Sequence, residues 1–251
     1  MAIHDFRSQR LFVDHPLSSS STFETSREQA NYLLNVMRLK SGAKLLVFNG
    51  RDGEWLAEVE ATGRKKCTLT PVEQTRPQPT PPALIYCFAP LKQARLDYMI
   101  QKAVEMGAGV LQPVITEFTQ VRSVNEKRLI ANSIEAAEQC GVLALPDIRE
   151  PLPLAELRSR LGDAPLVFCD EAAPATDELA MIEPRKQDDP FALLIGPEGG
   201  FSDREREILV ADTKTCRLGL GPRILRADTA AVAAMAVLQS RIGDWYHENV
   251  Q

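Results

Sequence analysis

Apolar side chains fall along this chain in short runs, and the spacing of those runs changes near residue 80. Upstream, residues 10–13, 44–48, 54–59 and 67–72 place branched and aromatic side chains in brief strand-like runs. Asn49-Gly50-Arg51-Asp52-Gly53 supplies hairpin chemistry between two of them. One helix is expected over 26–37, capped by Ser26, with Tyr32, Leu33, Val36 and Met37 on one side. A small β-barrel with one helix fits this half.

Downstream, strands alternate with helices. Strands are expected at 84–88, 110–115, 166–169, 191–195 and 215–218, and helices at 94–106, 127–140, 203–210 and about 229–246. That alternation predicts an α/β domain with a mostly parallel sheet. Between the halves stands Arg76-Pro77-Gln78-Pro79-Thr80-Pro81-Pro82, whose prolines remove donors and favour extended backbone. The expected division is a barrel domain at 1–76, a proline-rich linker at 77–82 and the α/β domain at 83–251.

Composition narrows the function. The chain is 44% apolar and 25% charged, as ordinary globular proteins are. Its longest purely apolar stretch, Ala230 to Leu238, falls short of the roughly 18 residues of a membrane span. With no apolar secretory segment near residue 1, a cytoplasmic protein without membrane contact is expected. The five cysteines form no Cys-x-x-Cys pair, and His4, His15 and His247 lie away from the glycine-rich stretches, so no metal site is expected. A net charge of −5 argues against indiscriminate nucleic-acid binding. Residues 1–76 nevertheless carry +2 and the remainder −7, so phosphate contact should lean on the first domain and on local arginines.

Two glycine-bearing turns carry the candidate chemistry. In the first, the apolar run 191–195 enters Gly196-Pro197-Glu198-Gly199-Gly200-Phe201, and Ser202 with Glu205 forms a capping box for the next helix. Glycines bring bare backbone close to a ligand, and ligands bind at the carboxyl ends of strands in open α/β sheets. A turn needing glycine only for its shape is the plain alternative. The loop matches neither Gly-x-Gly-x-x-Gly nor a Walker A sequence. Glu198, and Asp170-Glu171 after an earlier strand, would repel a pyrophosphate and suit a cationic or neutral cofactor.

The second turn, Arg217 to Thr229, places Arg223 and Arg226 around apolar Ile224 and Leu225. It offers cations to an RNA and an apolar wall to a purine ring. Read plainly, Asp228 or Thr229 caps the last helix and the arginines are solvated; capping is the expected role of Thr229. The alanines of that helix and the mixed charges of Lys92, Arg95, Asp97, Lys102 and Glu105 read as packing and solvated surface.

Together, Gly196-Pro197-Glu198-Gly199-Gly200-Phe201 and Leu220-Gly221-Pro222-Arg223-Ile224-Leu225-Arg226 resemble motifs of the bacterial 16S ribosomal RNA uridine-N3 methyltransferases, a family of the SPOUT superfamily. Val36 to Leu39, Gln101 to Gly107 and Glu138-Gln139-Cys140 extend the similarity over nearly the whole chain. The resemblance implies a PUA-like RNA-binding barrel followed by a Rossmann-like domain tied in a trefoil knot, S-adenosylmethionine as methyl donor, and a homodimer acting on 16S rRNA of the small subunit. It assigns cofactor contact to Ile195, Gly196, Gly199, Leu218, Leu220, Gly221, Ile224 and Leu225, with Cys169 to Glu171 as a further loop. Catalytic roles fall to Arg226 and to the carboxylates of Asp228 or Glu198, and RNA contact to Arg38, Lys40, Arg122 and Arg223. This chain departs from the family where Asp228 replaces the usual glutamate and Val142 an arginine. A SPOUT enzyme for another rRNA or tRNA nucleotide, and a non-enzymatic RNA-binding assembly factor, are the rival readings.

Overall fold

In the computed structural model, which describes residues 8–19, 21–173, 178–182, 186 and 188–245, each of the two spacings becomes its own sheet. The chain separates into one unit of Met1–Thr80 with Ala137–Leu145 and a second of Pro81–Ala136 with Pro146–Gln251.

The first unit contains β1 (Arg10–Phe12), β2 (Phe23–Glu24), β3 (Lys44–Phe48), β4 (Glu54–Gly63) and β5 (Lys66–Arg76), in sheet order β1-β3-β4-β5-β2. Asn49 forms the β3–β4 turn by accepting the N–H groups of Arg51 and Asp52 on its side-chain oxygen, at 2.9 and 2.8 Å. Alternate residues of β3 to β5, among them Leu45, Val47, Ala57, Val59, Cys67 and Leu69, point into one apolar core. Glu54, with a side chain only 4% exposed, lies between Arg10 at 2.9 Å and Arg76 at 2.8 Å. Arg76 also donates to the Gly141 carbonyl at 3.0 Å.

The helix expected over 26–37 is not continuous. Ser26 and Gln29 form a capping box for α1 (Arg27–Asn31), after which the chain widens into a π-turn at Tyr32–Val36. Met37 N–H reaches back to Tyr32 O at 2.9 Å, and Arg38 then takes a positive φ of 57°. This widening buries Leu33 but leaves Tyr32 and Val36 exposed, so the four apolar residues do not share one buried side.

The second unit runs β6 (Leu84–Phe88), α2 (Gln93–Glu105), β7 (Ala108–Ile115), α3 (Glu126–Cys140), β8 (Asp147–Ile148), β9 (Leu152–Pro153), α4 (Leu154–Leu161), β10 (Leu166–Cys169), β11 (Phe191–Ile195), α5 (Asp203–Ala211), β12 (Thr215–Leu218) and α6 (Ala227–Arg241). Helix α3 is continuous over its whole length, although its last residues group with the first unit. The sheet order is β12-β10-β11-β6-β7-β8, every pair parallel, with β9 alongside the end of β7.

Strand alternation builds two cores on this sheet. Leu84, Tyr86, Phe88, Val167, Phe191, Leu193 and Ile195 face α2 and α6, while Ile85, Cys87, Leu166, Phe168, Ala192 and Leu194 face α4 and α5. Helix α4 was not expected from the sequence; Leu154, Leu157 and Leu161 bury its apolar face. Helix α6 begins earlier than expected. Arg226, not Asp228 or Thr229, is its N-cap residue, and no side chain caps it. Asp228 lies inside the first turn and accepts the Thr229 N–H at 2.9 Å.

Candidate active site

The parallel order β12-β10-β11 brings three strand ends together, and the loops that leave them enclose a cavity of about 620 Å³. The glycine turns at 196–201 and 218–226, far apart in sequence, face this one space.

The loop after β11 is held from several directions. Ala89 N–H donates to Ile195 O at 3.0 Å, and Gly200 N–H to Pro197 O at 2.9 Å. Ser202 and Glu205 form the expected capping box of α5, and Glu205 also accepts the Glu117 N–H at 2.8 Å, tying in the loop after β7. The glycines of this loop serve different needs. A Cβ on Gly196 would stand 2.9 Å from the Phe201 ring; one on Gly199 would press on Phe118; Gly200 takes a φ of +70° with open space around it.

The loop after β12 contributes Leu218, Leu220, Gly221, Arg223, Ile224, Leu225 and Arg226 to the lining. Ile224, at the rim of this lining, is 90% exposed. Arg223 and Arg226 are exposed and make no ion pair among the described residues.

The loop after β10 completes the wall with Cys169, Asp170, Glu171 and Ala172. Desolvation pushes the Cys169 thiol up to about 12, so it is protonated at neutral pH and offers no thiolate nucleophile. Asp170 is almost wholly buried and accepts hydrogen bonds from Arg206 of α5 at 2.9–3.2 Å. On the opposite side, Arg95 of α2 pairs with Glu198.

Of the residues singled out in the sequence, Glu198, Ile195, Gly196, Leu218, Leu220, Gly221, Arg223, Ile224, Leu225 and Arg226 line the cavity. Gly199 does not line it; its Cα faces Phe118. Asp228 does not line it, although its sequence neighbours Arg226 and Ala227 do, and Arg122 is an exposed residue between β7 and α3. Arg38 and Lys40 are exposed residues of the first unit. Arg95, Asp170's partner Arg206, and Phe201 are lining residues that the sequence alone did not mark. For Arg95 the charge pattern of α2 held no distinguishing signal; for Phe201 its place at the end of the glycine run did.

Among the described residues, no group of histidine, cysteine and carboxylate side chains is arranged to hold a metal, and no helix is long and apolar enough to cross a membrane.

Comparison with known proteins gives this arrangement its context. Residues 78–239 match the model of an RNA methyltransferase domain, and residues 25–72 that of an RNA methyltransferase PUA domain. Ribosomal RNA small subunit methyltransferase E of Rickettsia conorii is 32% identical over 90% of this chain and 93% of its own length. The Bacillus subtilis protein of the same name is 27% identical over 92% and 95%. A Legionella pneumophila protein solved in complex with S-adenosylmethionine superposes with a TM-score of 0.82 at 28% identity, covering 94% of this chain and 98% of that one. A Neisseria gonorrhoeae methyltransferase E structure shares the fold, with a TM-score of 0.84 at 24% identity over 95% of this chain and 100% of its own. A PUA-like β domain followed by a parallel-sheet α/β domain, matched across nearly its full length, places this chain in the ribosomal RNA small subunit methyltransferase E family.

Proposed function

We propose that this chain transfers a methyl group from S-adenosylmethionine to N3 of a uridine in 16S rRNA, working as a homodimer in the cytoplasm. The observation that carries the reading is the convergence of the 196–201 and 218–226 turns on one cavity.

The residues present suit that cofactor. A cavity of about 620 Å³ is ample for a nucleoside-sized ligand. Ile195, Leu218, Leu220, Leu225 and Ala230 offer an apolar wall for a purine ring, while Gly196 and Gly221 bring bare backbone to the polar groups. The lining holds four acids and four arginines; Glu198 and Asp170 are paired with Arg95 and Arg206, which leaves Glu171 and Asp203 as carboxylates that can stand near a sulfonium. When bound, S-adenosylmethionine supplies an electrophilic methyl carbon on a positively charged sulfur.

The protein's part is positioning, charge stabilisation and proton removal. Holding the uridine in line with the donor supplies much of the acceleration. N3 must lose its imino proton, leaving negative charge on the ring. Arg226, exposed at the cavity without an ion-pair partner among the described residues, is placed to stabilise that charge. Of the two candidate carboxylates, Glu198 lines the cavity but is held by Arg95, and protonating it would give up that ion pair. Asp228 makes no ion pair among the described residues, accepting only the Thr229 N–H, and is assigned as the proton acceptor, working through water, a step worth about 10²- to 10⁴-fold.

Arg38 and Lys40 of the PUA-like unit, with Arg122 and Arg223, are assigned to RNA contact, because all four are exposed cations. The trefoil knot implied by the resemblance belongs to the same proposal.

The test is to incubate the purified chain with labelled S-adenosylmethionine and small ribosomal subunits or naked rRNA, then map the modified base. Label on N3 of one uridine is expected. Label on a ribose, or on tRNA alone, rejects the assigned substrate, and absence of S-adenosylmethionine binding rejects the enzyme. Arg226→Ala should abolish transfer with the fold retained, and near-normal turnover would remove Arg226 from catalysis.

A further inference from the structure

Asp170 presents a physical problem. Its side chain is 4% exposed at the end of β10, beside a cavity whose wall also carries Glu171 and Asp203. A buried carboxylate requires a cation and hydrogen bonds to remain charged. Arg206, on the second turn of α5, provides both. Its Nε lies 3.2 and 3.1 Å from the two carboxylate oxygens and its Nη2 2.9 Å from Oδ2, with Ala172 O a further acceptor at 3.5 Å. Asp203 and Glu171 act on the same guanidinium, so one cation serves three acids.

The pair also determines the path of the loop. Asp170 Oδ1 accepts the Ala172 N–H at 3.0 Å, its carbonyl accepts the Ala173 N–H at 3.0 Å, and its N–H donates to Leu218 O at 3.2 Å. Ala173 packs against Gly219 of the loop after β12. Helix α5 itself is fixed to the glycine turn by the Ser202–Glu205 capping box. The Arg206–Asp170 bond is thus a direct link between the loop after β10 and the helix that leaves the loop after β11.

We propose that Arg206 is a positioning residue for the methyl-donor cavity, holding the 170–173 wall through Asp170, and that Asp170 is therefore committed to this clamp and is not the anionic partner of the donor's sulfonium. The inference rests on the assignment of this cavity to S-adenosylmethionine. Without Arg206, the Asp170 carboxylate keeps acids beside it and loses its cation, and the tie from the 170–173 loop to α5 through Asp170 is gone. A loosened loop shifts the wall against which the ligand packs. Arg206 supplies nothing to the reacting nitrogen, so the loss falls on binding and spares transfer from the bound state.

The test is calorimetric titration of the full chain with S-adenosylmethionine, paired with steady-state methyl transfer. Arg206→Ala is expected to raise both Kd and KM for S-adenosylmethionine by about tenfold, mid-range for residues sharing one ion-pair network, with kcat at saturation little changed. Arg206→Lys, which keeps the charge but not the fork, should recover most of the affinity. The double variant Asp170→Asn with Arg206→Ala strands no charge and should bind more tightly than Arg206→Ala alone. Wild-type affinity in Arg206→Ala, or a fall in kcat with KM unchanged, overturns the proposal. Should Arg206→Ala fail to fold, as judged by circular dichroism, the double variant, which also lacks the bond, decides: S-adenosylmethionine affinity below that of the wild type with kcat little changed supports the clamp, and wild-type affinity overturns it. A wild-type chain that binds no S-adenosylmethionine rejects the cavity assignment itself, an outcome distinct from failure of the clamp alone.

Discussion

Gly196 and Gly200 stand in one turn, yet substituting alanine should expose two different physical demands. At Gly196 the added methyl meets Phe201 Cε2 and Cζ at 2.9 Å. Carbon atoms pack at about 3.5–4.0 Å, so the ring must recede by roughly 0.6–1.1 Å. Phe201 already packs edge-on against buried Phe168, with centroids 5.8 Å apart, and this restricts its retreat toward the sheet. Movement of this size in a packed region costs about 1–3 kcal/mol. Because Phe201 lines the cavity, the displaced ring encroaches on the ligand's space, and each 1.4 kcal/mol lost from binding is about tenfold in Kd. At Gly200 nothing lies within 4 Å, and the cost is that of placing alanine at a φ of +70°, about 1–2 kcal/mol. Both variants should therefore unfold a few degrees earlier, at about 2–4 °C per kcal/mol for a chain of this size. Only Gly196→Ala should lose about tenfold in S-adenosylmethionine affinity by calorimetry. Equal losses of affinity in the two variants, or an unaltered Kd in Gly196→Ala, would show that the Gly196–Phe201 contact does not shape the cavity.

Two further outcomes follow from ionised side chains. Burial raises the pKa of Glu54, but hydrogen bonds from Arg76, Thr75 and Arg10 and the charge of Arg76 outweigh it, so the net displacement is downward. A depressed folded pKa contributes stability above the unfolded glutamate value of about 4.3 and loses it as pH falls through the lower folded value. Glu54→Gln should lower stability at neutral pH by about 3–5 kcal/mol, the cost of breaking a buried pair, and flatten the acid limb of the stability profile; an unchanged acid limb in urea titrations would refute the assignment. At the cavity, Asp228→Asn should lower kcat by about 10²-fold or more at neutral pH. Glu198→Gln should affect S-adenosylmethionine or RNA binding more than kcat, and the reverse ranking in single-turnover assays would exchange the two carboxylates' roles.

What could be read in the sequence was whatever depends on near neighbours. The strand runs 84–88 and 191–195 and the capping box at Ser202 need only local residues, and the structure has them where the pattern puts them. Helix α4 was not expected, although Leu154, Leu157 and Leu161 have helical spacing; Pro153 stands at its N-cap, outside the helical turns, with a φ of −64° that its ring imposes. The π-turn at Tyr32–Val36 has no local signature, since apolar residues at helical spacing look alike whether or not the ladder widens. The same holds for the cavity. Glycines and arginines of the two turns stand out by type, whereas Arg95 differs in no visible way from Lys92 or Lys102 on its helix. Its pairing with Glu198, like that of Arg206 with Asp170, exists only because the sheet order sets distant segments side by side.

The misplaced start of α6 is informative for a different reason. Helix N-termini favour Ser, Thr, Asp or Asn at the cap, and Asp228-Thr229 offers both kinds of residue. The helix nevertheless starts at Ala227, after an arginine that caps nothing. A first turn without an N-cap side chain forgoes about 1 kcal/mol, and the N–H groups other than that of Thr229, which Asp228 accepts, add positive potential beside the exposed Arg226 guanidinium. Local rules are typically broken where function gains from it, and here the gain would be a cationic edge facing an anionic uracil ring. Arg226→Ser separates the two demands. A serine at this extended N-cap position should accept the N–H of N2 or N3 and raise the melting temperature by a few degrees, about 2–4 °C per kcal/mol. The same variant should lose methyl transfer with S-adenosylmethionine affinity largely kept, because the serine carries no charge for the ring. Arg226→Ser that is less stable than the parent would mean that the arginine supports the turn itself, and one that retains kcat would place the stabilising cation elsewhere, with Arg223 the next candidate on the same wall.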